Sequence, residues 1–488
     1  MLFSSWNFLV YFFPATLLGF YLIPTTWEVM RKSWLIAASL IFYGYWKLEY
    51  VPLLIASVVV NFSIAQGIVR CPTPRGAKKL LVGGVTLNLL LLGYFKYTNF
   101  AVHFLSHLLR HDLGSLGIIL PLAISFFTFT QISYLVDVCR DRRVHYNFLN
   151  YALFVVFFPH LIAGPIVRHW EIIPQFATTQ FRVNRDNLGV GLTLFLFGLC
   201  KKYIADTVAV YADAVYAGAA GGASLTHRDA WIGTVAFAFQ IYFDFSSYSD
   251  MAIGLARMFG IKFPHNFDSP YKASSVIAFW ERWHRTLTRF LREYVYFTLG
   301  GNRRGYARQN VNIMATMLLS GLWHGAGWTF VLWGGVHGAL ILVNHAWRLW
   351  LARMDWVLDH WAFRAAGVLV TFFVVTLAWT LFRAPNIHVA GDVLARLLLP
   401  GGPAGVPLLK HYDAALETLG FLFVICWAMP NSQQILWKYD PILDPVSRRP
   451  WFWFELNYKI GICLGFVAYL ILRNAHASEP SPFIYFNF

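Results

Sequence analysis

Residues 320–337, SGLWHGAGWTFVLWGGVH, place an ionisable imidazole, His324, among Trp323, Trp328 and Phe330 in a stretch otherwise apolar enough to lie in a bilayer. That position is expensive. Asp, Lys or Arg at membrane depth costs roughly 2.5 to 3.5 kcal/mol on insertion scales, so an intramembrane ionisable group points to a function. Gly321, Gly325 and Gly327 surround the histidine and remove side chains where backbone or substrate must come close. His324 is therefore expected to work on a substrate inside the membrane.

The rest of the chain supports a membrane setting. Charged residues make up 13% of 488, against about 25% in soluble domains. The apolar fraction is 58% and mean hydropathy is +0.52, which excludes an ordinary cytosolic protein. Apolar runs long enough to cross about 30 Å of hydrocarbon lie near 5–24, 33–48, 50–69, 79–97, 116–137, 188–212, 230–257, 308–346, 365–383, 413–430 and 456–472. The expectation is an all-α polytopic membrane protein with about eleven spans plus re-entrant and interfacial segments. The formal charge of +15 comes without any nucleic-acid signature and fits Lys and Arg on cytoplasmic links. Five cysteines show no CxxC or metal-like spacing and read as inert buried thiols.

The first apolar run, MLFSSWNFLVYFFPATLLGFYLIP, lacks a preceding basic residue and a clear cleavage site, so it reads as a retained span. The links 25–33, 70–79 and 138–147 are net basic, whereas Lys47 with Glu49 and Arg110 with Asp112 cancel. This alternation puts the N-terminus on the periplasmic side. Between 148 and 180, Pro159, Gly164 and Pro165 interrupt the apolar run and predict a broken or re-entrant element, with His160 and His169 in structural roles at its ends. Lys201 and Lys202 read as an interfacial anchor. Asp244 and Asp250, in the aromatic run that follows, read more readily as interhelical hydrogen-bond acceptors than as catalytic carboxylates.

Helical spacing over 276–297 places Trp280, Trp283, His284, Leu287 and Leu291 on one face, with Arg282, Arg285, Arg289 and Arg292 beside and opposite. Residues 257–308 hold ten Lys or Arg against three carboxylates, and a GGNRRG turn at 300–305 follows the basic segment 276–297. An interfacial helix on anionic lipid explains the arginines but not an imidazole on the buried side. Further on, 365–383 is a plain span, 386–412 reads as an amphipathic surface helix with a Gly/Pro turn at 400–407, and the chain ends in SPFIYFNF. No internal repeat or composition shift divides it, so 1–488 reads as one domain, with core motifs in 150–346 and peripheral helices in 1–149 and 347–488.

His284 and His324, each next to a tryptophan, are candidate catalytic residues, because neutral imidazole can take a proton from a hydroxyl and return it to a leaving group. Metal binding is the weaker reading, since no HxxxH or HExxH spacing occurs, and no GxSxG elbow supports a serine triad. His337 reads as a packing or supporting histidine. A transporter would also keep ionisable groups in the membrane, but it predicts repeated halves. A lipid-binding scaffold leaves the paired histidines unexplained.

HLIAGPIVR (160–168), YFDFSSYSDMAIGLARMFGIKFPHNF (242–267), FWERWHRTL (279–287), the GGNRRG turn and SGLWHGAGWTFVLWGGVHG (320–338) together resemble the membrane-bound O-acyltransferase family. The similarity is strongest to its bacterial exopolysaccharide O-acetylation branch, of which the alginate system is typical, and it extends to both chain ends. The resemblance implies a helical fold around a central tunnel and a cytoplasmic acyl-CoA donor, most simply acetyl-CoA, with no bound cofactor or metal. It also implies His324 as the catalytic histidine with His284 at a second motif position. Candidate donor- or substrate-binding residues are Trp283, Arg282, Arg285, Arg303, Arg168, Asp250, Trp323 and Trp328. The basic segment would suit coenzyme A phosphates. The branch further implies the bacterial inner membrane and a periplasmic SGNH-type acetyltransferase partner. Related branches that pass D-alanine to teichoic acid or acetylate peptidoglycan remain alternatives. Glu281 stands where the branch usually has a basic residue, and Ser247 where glycine is common.

Overall fold

A computed structural model describes residues 1–114, 116–144, 146–178, 183–353, 360–399, 407–446, 449–477 and 481–484, and these are helical with no strand among them. The expected turn at 400–407 lies, but for Pro407, outside the described residues, as do the last four residues of the aromatic tail. Five helices are long and apolar enough to cross a membrane: Leu48–Arg70, Pro74–Leu109, Arg185–Ala220, Trp328–Leu351 and Trp361–Arg383. Other expected spans are shorter or interrupted. The run at 116–137, for example, becomes helical only at Ile124, after Pro121 and a left-handed Ala123.

The centre is an antiparallel pair, Arg185–Ala220 and His227–Met258, packed along their length. A capping box starts the second helix: the Thr226 hydroxyl accepts from the Asp229 amide, and the Asp229 carboxylate accepts from the Thr226 amide. Close approach comes from small residues. A Cβ on Gly254 would lie 2.5 Å from the Gly191 oxygen, and one on Gly198 would lie 2.7 Å from the Ser247 oxygen. Both contacts are with backbone, which cannot swing aside. Gly254→Ala is therefore expected to destabilise the protein by about 1–3 kcal/mol or more, read as a lower unfolding midpoint in detergent, whereas Gly420→Ala, with open space at its Cβ, leaves it unchanged.

The same pair corrects the reading of Lys201 and Lys202 as an interfacial anchor. They lie near the middle of a 36-residue helix. Lys201 pairs with Asp250 at 2.6 Å and Lys202 with Asp244 at 2.9 Å. Ser432 and Gln433 also donate to Asp250, each at 2.6 Å, and the Ile484 amide donates to Asp244 at 2.8 Å. Charges at depth are held by partners here, where the sequence reading let them reach for the interface. The two carboxylates join helices, as expected.

The interrupted region is present as short helices, Phe148–Val156, Phe158–Leu161 and His169–Thr178, separated by irregular backbone buried in protein. His160 and His169 are both structural: the former meets the Phe154 oxygen at 2.9 Å and the latter the Tyr146 hydroxyl at 3.2 Å. The expected surface helix is Ile387–Leu398, whose Val389, Ala390, Val393 and Leu397 pack inward.

Candidate active site

His324 is the last residue of the helix Tyr306–His324, which reverses through residues 325–327 into the helix beginning at Trp328. The two helices touch through glycine: a Cβ on Gly321 would lie 2.2 Å from the Phe330 oxygen, and one on Gly334 2.3 Å from the Met317 oxygen. A Cβ on Gly325 would enter the Phe330 ring, whereas Gly327 has room. Close packing thus explains Gly321 and Gly325 but not Gly327. The His324 ring is 3% exposed. It meets Trp323, Trp333 and Phe382 edge-on, with centroids 4.8, 5.1 and 5.5 Å away.

His284 is not on a continuous helix. Residues 276–297 form Val276–Trp280, a bend, Arg285–Phe290 and a π turn, Leu291–Tyr296. His284 sits at the break with φ 43° and ψ 51°, a left-handed conformation that costs an L-residue on the order of 1–2 kcal/mol. The expected single face is thereby replaced. Backbone amides that a helix would satisfy pair instead with 266–268: Arg285 donates to the Asn266 oxygen and Asp268 to the Arg282 oxygen, each at 3.0 Å.

This break fixes the imidazole. The Asn266 side-chain oxygen accepts from the Thr286 hydroxyl at 2.9 Å, and its amide nitrogen donates to Ser249 at 3.0 Å. The oxygen lies 3.1 Å from His284 Nδ1, so Nδ1 must carry the proton and donate. Nε2 is then the basic nitrogen, and it has no hydrogen-bond partner among the described residues. Asn266→Leu should lower turnover by about 10²-fold or more through the lost tautomer, whereas Asn266→Asp, which still accepts from Nδ1, should keep more activity. Steady-state kinetics on folded variants decides between these outcomes. Tryptophan links the histidines: Trp323 lies 6.3 Å from His284 and contacts His324. His337, fully buried, accepts from Trp280 Nε1 at 3.3 Å and packs on Trp333 at 4.8 Å, behind His324.

Two cavities approach this centre. One, of about 100 Å³, reaches His324 and is lined also by Trp46, Lys96, Ala123, Phe126 and Trp323. The other, of about 290 Å³, is lined by His265, Trp280, Arg285, Arg289 and Arg292, with Glu281 and Asp444 among its walls. The first lies at one end of the helix Ile124–Arg140, which is about 25 Å long, and a chain of contacts leads from the other end of that helix to the second. The helix N-terminus lines the first cavity. Near its C-terminus Asp137 accepts from Tyr294, which holds Arg168, whose amide donates to Glu171, the partner of Arg289 in the second.

The remaining candidates divide. Trp323 lies between the histidines. Trp283 packs behind them, against Phe267, Phe279 and Trp379. Arg285 lines the basic cleft, with Nη1 3.1 Å from His265 Nδ1, and Arg282 faces the Asp268 backbone oxygen at 3.5 Å. Arg168 is wholly buried, pairs with Glu293 at 2.8 Å and donates to Tyr294. Asp250 is occupied by Lys201, Ser432 and Gln433. Arg303 is exposed, and Trp328, 49% exposed, packs on Phe100 and Phe104 away from His324. Trp333, Asn266 and Lys96 were not singled out from sequence. Lys96, a lone cation in the apolar run YFKYTNF, carried the one signal that pointed there. No three His, Cys, Asp or Glu side chains among the described residues group closely enough to hold a metal ion.

The chain is 36% identical to a peptidoglycan O-acetyltransferase of Helicobacter pylori, over 100% of this chain and 98% of the relative. It is 40% identical to a probable alginate O-acetylase of Pseudomonas putida over 100% of both, and 25% identical to a teichoic acid D-alanyltransferase of Bacillus subtilis over 63% of this chain and 78% of the relative. With the model of the membrane-bound O-acyltransferases matching residues 122–382, a stretch that includes His284 and His324, the chain belongs to that family and is a membrane acyltransferase.

Proposed function

We propose that this acyltransferase takes an acetyl group from cytoplasmic acetyl-CoA and delivers it across the inner membrane for O-acetylation of an extracellular polysaccharide. The supporting observation is that His324 lines one cavity while Arg285 and Thr286, the residues that follow His284, line a second, arginine-rich one. With the N-terminus periplasmic and about eleven crossings, the basic cleft faces the cytoplasm and receives the phosphates of coenzyme A. Arg285 and Arg292 carry that charge, since Glu171 already balances Arg289. Acyl transfer then takes place beside the two imidazoles. His324 removes the proton of the incoming hydroxyl, and His284, held with Nε2 basic, assists. Resemblance to the alginate system supports a periplasmic SGNH-type acetyltransferase as the next carrier.

Peptidoglycan is a second acceptor, favoured by the Helicobacter relative, which matches along its whole length. D-alanyl transfer has less support, because those relatives match only part of this chain. Purified protein given acetyl-labelled acetyl-CoA and the periplasmic partner should release free thiol in step with labelling of an alginate-type or peptidoglycan acceptor. Movement of substrate without thioester cleavage would instead mean transport.

A further inference from the structure

Lys96 is buried beside His324, and among the described residues no carboxylate balances it. It sits in Gly93–Tyr97, where the Pro74–Leu109 helix widens into a π turn, a distortion frequent at functional sites. Its ammonium donates to the Trp323 backbone oxygen and reaches the His324 backbone oxygen at 3.5 Å. It also lies 5.8 Å from the centroid of the Trp323 ring. The neighbouring Tyr97 hydroxyl donates to the Leu322 oxygen at 2.9 Å. One turn therefore holds the last three carbonyls of the helix that ends at His324.

Two observations go beyond a helix cap. The buried Lys32 and Lys202 and the half-buried Lys201 each have a carboxylate partner, Glu28, Asp244 and Asp250 respectively. Among the described residues Lys96 has none, and an uncompensated buried cation is costly to keep. The side chain also lines the cavity that reaches His324. An ammonium has three N–H donors; the two carbonyls use two and leave one for a group entering that cavity. The missing anion is one the reaction makes and consumes.

We propose that Lys96 donates the hydrogen bond that stabilises the oxyanion formed during acyl transfer at His324. The proposal rests on the acyl-transfer reading above. The acceptor hydroxyl gives its proton to His324 and its oxygen attacks the thioester carbonyl carbon. A C–O bond forms, and the carbonyl π pair moves to the oxygen facing Lys96. When the C=O bond re-forms, the C–S bond breaks, the thiolate leaves, and the proton passes from the imidazolium to sulfur. Ester and free thiol result, with no change of oxidation state. A donor present only for this charge acts on the transition state more than on substrate binding.

The test uses the full-length protein in lipid nanodiscs, with acetyl-CoA as donor and oligomannuronate or soluble peptidoglycan fragments, each with the periplasmic partner, as acceptors. For Lys96→Met, kcat is expected to fall about 10²- to 10³-fold, with KM for acetyl-CoA and the unfolding midpoint close to wild type. Lys96→Arg should keep part of the activity and lose the alkaline fall of the pH–rate profile, because guanidinium stays protonated where an ammonium gives up its proton. Near-wild-type kcat in Lys96→Met would overturn the proposal. So would a loss matched by a lowered unfolding midpoint while Lys96→Arg keeps the wild-type pH profile, which is the signature of a cap alone. If wild type shows no acceptor-dependent thiol release, the acyl-transfer reading and this proposal fall together. If wild type and Lys96→Met both turn over while His324→Ala does not, only the role of Lys96 falls.

Discussion

Replacing His324 by alanine is expected to lower acyl transfer by about 10³-fold, within the range by which a positioned proton acceptor speeds such a step, while the protein stays folded. The side chain ends a helix and meets its neighbours mainly through ring edges. Its removal enlarges a cavity that already exists. Gel filtration and the unfolding midpoint should therefore stay close to wild type as kcat collapses. His337→Phe is the contrasting variant. His337 packs behind Trp333 and outside the cavity, so its loss should be felt in stability before turnover. Equal kinetic losses in the two variants would count against a special role for His324.

The second large effect is structural. Lys202→Met leaves Asp244, whose side chain is 3% exposed, as a buried carboxylate without its cation, at an expected cost of about 3–5 kcal/mol. It also frees residues 481–484, because the Lys202 ammonium donates to the Ser481 hydroxyl at 2.8 Å and stands over the Phe483 ring. The apparent unfolding midpoint in detergent should drop sharply and the yield of folded protein should fall. Adding Asp244→Leu should recover much of the loss, since an apolar pair of similar volume replaces a buried ion pair at little or no cost. Lys202 also pairs with Asp206 at 2.8 Å, and no recovery in the double variant would show that it acts through Asp206 and Ser481 instead.

Much of this was legible in the chain because the bilayer makes polar residues conspicuous. His324 beside Trp323, the prolines at 159 and 165, and the carboxylates at 244 and 250 each stand out against an apolar background; the prolines fall in the interrupted region and the carboxylates join helices. Long-range pairing was not legible. Helical periodicity over 276–297 is satisfied by side chains, but the backbone amides near His284 find partners in 266–268, and no local pattern announces that exchange. Lys201 and Lys202 read as an anchor because the buried carboxylates that hold them at depth, Asp250 and Asp244, lie more than forty residues away, and Asp206, four residues after Lys202, is a pair any surface helix could make. The choice between Trp328 and Trp333 depends on where the turn at 325–327 releases the next helix. Lys96 belongs to the site only because the Gly93–Tyr97 turn meets the end of a helix some 227 residues later.

The central claim is that an acetyl group passes from one side of the membrane to the other beside His324. It is tested most directly in sealed proteoliposomes of one orientation, with acetyl-labelled acetyl-CoA enclosed and the polysaccharide acceptor, with its periplasmic partner, outside. The expected result is label on the outer acceptor and free coenzyme A retained inside, both lost in His324→Ala. Labelling only when donor and acceptor share one compartment, or undiminished labelling by a folded His324→Ala protein, would contradict it.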